Sequence, residues 1–210
     1  MTDFLSVLQK YRASGHELIL VDGGSTDNSL AQVKIWIDEL VVLSECGRAR
    51  QMNAGARQAS GDVLLFLHAD TQLPDNADKL IRDSLQIGNV WGRFNVRLSG
   101  NLWPLRIIEK LMNWRSCFTG IVTGDQGMFV LRDAFEHLGG FADIPLMEDI
   151  ELSQRLKKIS SPCCLQVPVI TSSRRWEREG ILRTVILMWG LRLGWFFGVS
   201  AQRLHKIYYR

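Results

Sequence analysis

The pattern of apolar and polar residues predicts strands that alternate with helices along the whole chain. Helical spacing of Phe4, Leu5, Leu8 and Tyr11 predicts an amphipathic first helix. Short apolar runs of strand length follow at 18–21, 41–43, 63–67, 128–131 and 165–170. Segments with helical periodicity separate most of these runs. Such alternation is typical of an α/β fold in which helices cover a sheet.

The stretch from Gly61 to Asp70 is the one around which the rest of the chain is organised. Val63 to Leu67 are five consecutive apolar residues, which is typical of a strand buried on both faces. The polar residues His68 and Asp70 follow at once. Ligands of open α/β sheets bind beyond the carboxyl ends of the strands, so Asp70 is either a site acid or a cap for the turn at 71–74.

A second strand end carries a turn rich in polar residues. The segment from Asp22 to Asp27 follows the strand at 18–21 and contains Gly23, while Thr26 or Asp27 can cap a helix that begins near Ser29. Backbone N–H groups at such a turn suit a phosphate, and Asp22 can accept hydrogen bonds from a base. The glycine spacing matches neither a Rossmann fingerprint nor a P-loop.

Charged residues cluster at the starts of two further helices. Arg48 and Arg50 open a helix over 47–59 and oppose its dipole, so either an anion such as phosphate lies near them or they are solvated at the surface. Glu148, Asp149 and Glu151 suit the dipole of a later helix. Adjacent carboxylates also raise one another's pKa, which favours a general base near neutrality.

Composition narrows the classes of function. The 25 basic residues nearly balance the 22 acidic ones in this chain of 210 residues, and a net charge of +3 argues against a general nucleic-acid binder. The four cysteines lack Cys-x-x-Cys spacing, so we expect reduced thiols, no structural zinc site and a cytoplasmic protein. No export signal is evident at the N-terminus.

The C-terminal part is apolar and basic. The stretch 185–199 contains Arg192 and is shorter than the roughly 20 residues of a spanning helix, so we expect it to be buried or interfacial. Its aromatic residues either rest on an anionic membrane surface, as a peripheral contact, or complete the core; they are Trp189, Trp195, Phe196 and Phe197. We therefore predict a catalytic domain over 1–178 and a helical extension over 179–210, packed on that domain or on a membrane.

Together these segments resemble family 2 glycosyltransferases of the GT-A fold. The matching motifs are Val21-Asp-Gly-Gly-Ser-Thr-Asp27, Gly47-Arg-Ala-Arg-Gln-Met-Asn-Ala-Gly55, His68-Ala-Asp70, Gly124-Asp-Gln126 and Met147-Glu-Asp149, which span about 17–178. The match is closest to a short bacterial subgroup that also has an Arg-Arg-Trp segment. The resemblance implies an α/β fold with a mixed, mostly parallel sheet flanked by helices, and a role in cell envelope polysaccharide synthesis.

The resemblance also implies roles for individual residues. Asp149 matches the catalytic base of an inverting single displacement, and Asp70 matches the acid that holds a divalent cation, Mn²⁺ or Mg²⁺, on the donor diphosphate. The nucleotide, expected to be that of a UDP-sugar, would contact Asp22, Gly23, Asp27, Arg48, Arg50 and Asn53. A donor or acceptor pocket for a sugar or lipid-linked acceptor would include His68, Asp125, Gln126, Glu148, Arg175 and Trp176.

Two features depart from the family pattern. His68 replaces the usual first acid and either binds Mn²⁺ or only lines the site. The chain also starts in the helix that should follow the family's first strand. Either the true start lies upstream, or the protein is shortened, with a damaged nucleotide pocket and an exposed sheet edge that a second copy could cover in a homodimer. The alternative function is a catalytically impaired binding or assembly subunit. An Asp-x-Asp-x-Thr phosphatase built on Asp22 is disfavoured, because Gly24 replaces its second acid.

Overall fold

The computed structural model describes residues 2–25 and 29–209 and confirms the α/β class. The strands are β1 (Ile19–Asp22), β2 (Glu39–Val42), β3 (Val63–Phe66), β4 (Thr71–Gln72), β5 (Trp91–Leu98), β6 (Met128–Leu131) and β7 (Cys163–Thr171). The helices are α1 (Thr2–Ala13), α2 (Ser29–Val33), α3 (Arg48–Gln58), α4 (Ala77–Gln86), α5 (Trp103–Thr119), α6 (Arg132–His137), α7 (Glu148–Leu156), α8 (Arg174–Glu179), α9 (Ile181–Phe196) and α10 (Ala201–Tyr208). Short 3-10 helices lie at Lys34–Trp36 and Gly124–Gln126.

The strands form two separate sheets. A five-stranded sheet has the order β3-β6-β5-β7-β4, in which β5 and β7 run parallel and the other neighbours run antiparallel. The second sheet is the parallel pair β1 and β2. Within the described residues no strand joins β1 to β3. The sheets are therefore interrupted between β1 and β3, and the absence of the family's first strand stays a prediction.

Strand β3 differs from its prediction in its neighbours. The continuous apolar run indicated a strand inside a parallel sheet, but β3 lies at one edge and pairs only with β6, antiparallel, within the described part of the chain. Its other edge faces a cavity that is also lined by β1. The apolar residues of β3 thus line the cavity as well as packing in the core.

The two faces of the five-stranded sheet pack against different helices. On one face, Met128 and Val130 pack with α3, α6 and α7, while on the other Phe129 packs with α1 and α4. The alternation of apolar and polar residues from Val90 to Leu98 predicts a half-exposed strand. That expectation is wrong, since β5 lies between β6 and β7 and its Trp91 and Phe94 are fully buried.

A capping box forms at a different place from the one indicated by the sequence. The spacing of Asp133 and Glu136 predicts a capping box at the start of a helix, yet α6 begins directly after Leu131 without a side-chain cap. The capping box instead joins Thr123 and Gln126 around the 3-10 helix Gly124–Gln126. This arrangement fixes the turn that carries Asp125.

The C-terminal helices pack on the start of α7. Leu191 of α9 and Leu204 of α10 form a buried cluster with Leu146, Met147 and Ile150. Among the described residues, no helix is both long and apolar enough to cross a membrane. The domain boundary expected after residue 178 falls inside α8 and stays a prediction.

Candidate active site

One large cavity of about 1270 Å³ brings together most of the predicted site residues. It is bounded by β1 and β3, by the turn after β3, and by the starts of α3 and α7. Eight of the residues singled out from the sequence line it: Arg48, His68, Asp70, Asp125, Glu148, Asp149, Arg175 and Trp176. Residues from five separate motifs thus meet at one place.

Asp149 is held in place from two directions. Its Oδ2 accepts a hydrogen bond of 2.9 Å from the backbone N–H of Gly124, and its Oδ1 accepts one of 2.7 Å from that of Ile150. Met147, which precedes the helix, has a φ of 72°, the sole positive φ among the described residues other than glycine. Such backbone strain occurs preferentially at functional sites. The carboxylate is therefore oriented before any ligand binds.

Glu148 is buried and paired, in contrast to its neighbour. Its side chain is 1% exposed and forms an ion pair with Arg48, with 3.3 Å between Oε1 and Nε. Burial and, to a lesser degree, the charge of Asp149 raise the pKa of Glu148. Of the two adjacent carboxylates, Glu148 is thus suited to positioning Arg48.

His68 interacts with the same guanidinium. The Nη2 of Arg48 lies 2.9 Å from the Nε2 of His68, and because arginine has no acceptor, Nε2 must accept this hydrogen bond. Burial and the charge of Arg48 lower the pKa of His68, which keeps the ring neutral at neutral pH. The lone pair with which Nε2 would bind a metal is therefore engaged with Arg48.

The residues present fit a divalent cation only if a phosphate completes its coordination. In the described ranges no group of three His, Cys, Asp or Glu side chains is arranged to hold a metal ion. Asp70 is exposed at the cavity, and its carboxylate accepts a hydrogen bond of 3.5 Å from the Thr71 hydroxyl. Mg²⁺ is commonly bound by one or two carboxylates together with substrate phosphates, and Asp70 can supply such a ligand.

The predicted nucleotide residues near β1 lie apart from the cavity lining. The Oδ2 of Asp22 accepts hydrogen bonds from the backbone N–H groups of Gly24 and Ser25, at 2.8 and 2.7 Å. The hydrogen bonds from Ser25 are the main cause of a lowered Asp22 pKa. A Cβ on Gly23 would lie 3.0 Å from the Gln51 side chain. Asp27 lies outside the described residues.

Three other predicted residues have contacts away from the cavity. Arg50 is at the surface, where it pairs with Glu45 and, at 2.8 Å, with Asp143. Asn53 exchanges two hydrogen bonds with the backbone of Phe141, at 2.8 and 2.9 Å. Gln126 is fully buried in the capping box. Each of these contacts organises the polypeptide around the site.

The Arg-Arg-Trp segment reaches the cavity from the C-terminal side. The guanidinium of Arg175 lies over the ring of Tyr208, 3.9 Å from its centroid. Trp176 packs beside Leu98, Leu105 and Ile108. Tyr208 also lines the cavity and was missed from the sequence, because its position depends on how α10 folds back.

Three more arginines line the cavity and were not predicted as site residues; one of them, Arg82 of α4, pairs with Asp78. Arg115 comes from α5 and Arg192 from α9. Neither belongs to a recognisable local motif. The one signal available was that Arg192 interrupts the otherwise apolar stretch 185–199, which is unusual unless the charge has a role.

Comparison with solved structures first defines the class of fold. Mannosyltransferase PcManGT from Pyrobaculum calidifontis, in complex with GDP-Man and Mn²⁺, superposes with a TM-score of 0.54 at 22% identity, over 74% of this chain and 47% of that one. TarS 1–349 from S. aureus superposes with a TM-score of 0.59 at 15% identity, over 81% and 57%. The chain spans about half the length of these proteins. At such identities the likeness establishes a shared GT-A fold.

The family follows from the sequence itself. Residues 4–139 match the family described as Glycosyl transferase family 2, and this range is more than half of the chain. The chain belongs to glycosyl transferase family 2. A comparison with curated proteins found no match.

Proposed function

We propose that the protein transfers a sugar from a nucleotide-diphosphate donor, preferentially a UDP-sugar, to an acceptor hydroxyl with inversion at the anomeric carbon. The observation that carries this proposal is the orientation of Asp149 by the Gly124 N–H, beside a cavity that Asp70 and Arg48 also line. A pre-oriented carboxylate in a large cavity is what general-base catalysis requires.

In the proposed reaction Asp149 accepts the proton of the acceptor hydroxyl. The acceptor oxygen then forms a bond to the anomeric carbon while the bond from that carbon to the diphosphate oxygen breaks. The nucleoside diphosphate leaves with the electron pair, so one displacement inverts the configuration. Arg48 is already fixed by Glu148 and His68, which makes it suited to receive the diphosphate without further ordering.

A divalent cation, Mn²⁺ or Mg²⁺, would be held by Asp70 together with diphosphate oxygens. When bound, it supplies positive charge that stabilises the leaving diphosphate. Asp70 suits this role because it is an exposed carboxylate at the cavity. Asp22 and the turn from Gly23 to Asp27 would contact the nucleoside.

The binding experiment measures the melting temperature with UDP-sugars and GDP-sugars, each with and without Mn²⁺. We expect the largest rise with a UDP-sugar and Mn²⁺ together. Asp70→Asn should remove the part of the rise that depends on Mn²⁺, while Asp133→Asn, an exposed carboxylate on α6, should leave it intact. No rise with any nucleotide and metal would contradict the proposal.

A second candidate is a catalytically impaired family member that acts as a binding or assembly subunit. The specific observation in its favour is the interruption between β1 and β3, because it leaves the proposed nucleotide side without a continuous sheet. We would fuse an apolar strand-forming segment ahead of α1 and measure sugar transfer. Activity that appears only in the fusion would support this candidate, and equal activity in both would reject it.

We also propose two contacts beyond the substrates. A second copy covering the edges of β1 and β3 would form a homodimer, and light scattering of wild-type protein would detect it. A peripheral contact with the inner face of a membrane from the cytoplasm is favoured by the high exposure of Trp189, Phe196 and Phe197.

A further inference from the structure

Helices α5 and α9 each contribute an arginine to the lining of the cavity, and other segments contribute carboxylates. Arg115 projects from α5 and Arg192 from α9, and both line the cavity that contains Asp125 and Asp149. Asp125 and Asp149 lie near enough to act on Arg115 electrostatically, but neither forms an ion pair with it in the described structure. The role of these arginines is not explained by the proposed donor site.

Arg115 has unmet hydrogen-bonding capacity. Its Nη1 donates a long hydrogen bond of 3.4 Å to the carbonyl of Ile121, while its Nε and Nη2 are shielded from solvent and have no partner. Burial, and next the charge of Arg192, lower the pKa of Arg115 to about 10, so the group remains charged at neutral pH. A buried donor without a partner is costly, and a small side-chain movement into the cavity towards an anion would remove that cost.

The other arginines that line the cavity, and one more arginine on α5, have carboxylate partners. Arg48 pairs with Glu148, and Arg106 of the same helix α5 pairs with Glu109 at 2.9 Å. In the part of the chain that the structure describes, Arg115 and Arg192 form no ion pair with a carboxylate. Two neighbouring guanidinium groups without an ion-pair partner form a site to which a phosphate is complementary.

An exposed apolar surface leads up to these arginines along α5. It consists of residues on one face of the helix that are 49 to 78% exposed: Trp103, Ile107, Leu111, Trp114 and Phe118. Their spacing of three and four residues places them in a continuous stripe, here called the α5 stripe. Leu111 and Trp114 also line the cavity, so the stripe continues into it.

A second stripe of the same kind lies on α9. Its members are 58 to 80% exposed and are again spaced by three and four residues: Leu182, Ile186, Trp189, Leu193 and Phe196. Trp189 lines the cavity together with Leu111 and Trp114 of the α5 stripe. Both apolar stripes therefore reach the cavity that contains the two unpaired arginines.

We propose that this part of the cavity binds a phosphate-bearing amphiphile, with its phosphate between Arg115 and Arg192 and its apolar chain along the α5 and α9 stripes. The charge of the arginines selects an anion, and the stripes select a long apolar chain attached to it. Such a molecule could be the acceptor, a role that rests on the proposed transferase function. It would then present its reacting hydroxyl on the side of Asp149.

The test uses decyl phosphate below its micelle concentration as the probe, with decanol and inorganic phosphate as its two separate halves. Binding to the wild-type protein is measured by calorimetry. We expect decyl phosphate to bind at least about tenfold more tightly than either half, because the charged and apolar contacts are made together. Equal binding of inorganic phosphate would identify an ordinary anion site, and equal binding of decanol a purely apolar one; either result would overturn the proposal.

Variants separate the two parts of the site. Arg115→Gln and Arg192→Gln should each weaken the binding of decyl phosphate by about tenfold, since each removes a charge-assisted contact. The binding of decanol should not change in either variant. Trp114→Gln and Trp189→Gln change exposed side chains, and they should weaken the binding of decyl phosphate and of decanol alike. Arg57→Gln and Ile87→Gln are the matched controls, because these side chains are exposed and lie outside the cavity.

Failure of the amphiphile proposal can be distinguished from failure of the proposed function. The rise in melting temperature with a UDP-sugar and Mn²⁺ should be unchanged in Arg192→Gln. If nucleotide binding is present but decyl phosphate binds all four variants as tightly as the wild type, the amphiphile site is refuted and the transferase proposal stands. If Arg115→Gln fails to fold, Arg192→Gln and the two tryptophan variants still decide the question.

Discussion

The five-stranded sheet and the two-stranded sheet hold their polar residues in different ways. Beside the larger sheet, Asp149 accepts a hydrogen bond from Gly124, which is 25 positions away, and Glu148 is buried against Arg48, 100 positions away. At the end of β1, Asp22 accepts hydrogen bonds from Gly24 and Ser25 of its own turn. One site is assembled by tertiary contacts and the other by local ones.

This difference indicates which half of the site depends on its surroundings. Asp149 and Glu148, beside the larger sheet, are oriented by contacts with other described residues. The turn after β1 is locally formed, but β1 pairs only with β2 within the described residues, and its other edge faces the cavity. We therefore expect the proposed catalytic half, around Asp149, to tolerate changes near β1. The proposed nucleotide half, around Asp22, should depend on what occupies the space between β1 and β3.

The largest expected effect is on the catalytic half. Asp149→Asn should lower the rate of sugar transfer by about 10²- to 10⁴-fold, because the amide cannot accept the acceptor proton. The rise in melting temperature with nucleotide should persist, since Asp149 is not proposed to contact the nucleotide. Transfer at the wild-type rate in Asp149→Asn would show that another group is the base.

A pair of glycine substitutions compares the rigidity of the two sheets. A Cβ on Gly92 of β5 would lie 2.5 Å from the Cys163 carbonyl oxygen and from the Phe129 ring, whereas one on Gly55 would lie 2.9 Å from a methyl group of Val21 in β1. Gly92→Ala should lower the free energy of unfolding by about 3 kcal/mol and Gly55→Ala by about 1 kcal/mol, because only Val21 can move aside.

The control for this pair is Gly190→Ala, since a Cβ at Gly190 of α9 would meet nothing within 4 Å. That variant should be neutral or stabilise by up to about 1 kcal/mol, because alanine favours a helix. Urea unfolding measures all three variants. If Gly55→Ala costs as much as Gly92→Ala, the two-stranded sheet is as rigid as the larger one and the comparison fails.

A smaller effect should appear when the buried carboxylate loses its partner. Arg48→Gln leaves Glu148 charged and unpaired, and because Arg48 is partly exposed we expect a loss of about 2 kcal/mol, below that for a fully buried pair. The folded state raises the pKa of Glu148, so its contribution to stability is present at low pH and lost as pH rises through that pKa.

The loss in Arg48→Gln should therefore be greater at about pH 8 than at about pH 5, as measured by melting temperature. Adding Glu148→Gln should restore much of the stability at the higher pH, because no charge is then buried. A loss that is the same at both pH values, or no rescue by the second substitution, would show that the ion pair does not carry the effect.

The smallest expected effect concerns the turn after β1. Asp22→Ala should weaken nucleotide binding by about tenfold, since a hydrogen-bonding carboxylate is lost, and should leave the orientation of Asp149 intact. Calorimetry with UDP and Mn²⁺ measures this change. The control is Asp133→Asn. A drop in the rate of single-turnover transfer by Asp22→Ala at saturating donor would contradict the separation of the two halves.

Much of the fold could be predicted because periodicity is a local property. Strand β6 has the predicted bounds, and the helix that carries Asp149 begins within the predicted segment. Exposure was harder to predict, because β5 alternates in sequence yet lies at the centre of its sheet. Its Arg93 is buried and donates hydrogen bonds to Asn95 and to the Asn113 carbonyl. Sequence spacing does not indicate these partners.

The candidate site was predictable where motifs mark it and unpredictable elsewhere. Asp70 follows a strand and Asp149 lies in the first turn of a helix; position left their roles open, and the family motifs that contain them indicated a site. Arg50 shares a motif with Arg48, but it lies on a different side of α3 and pairs with surface carboxylates. Arg115 lacks any local mark, because only the packing of α5 beside α9 brings it to the cavity.

The sequence by itself determined most of the elements, the family and the acids at the strand ends, since each element and each family motif depends on residues within a few positions of one another. The tertiary structure decided which of those residues meet. It placed Arg48 between Glu148 and His68, turned Asn53 and Gln126 towards the backbone, and opened a cavity between β1 and β3. These outcomes depend on contacts between distant segments, which a local pattern does not encode.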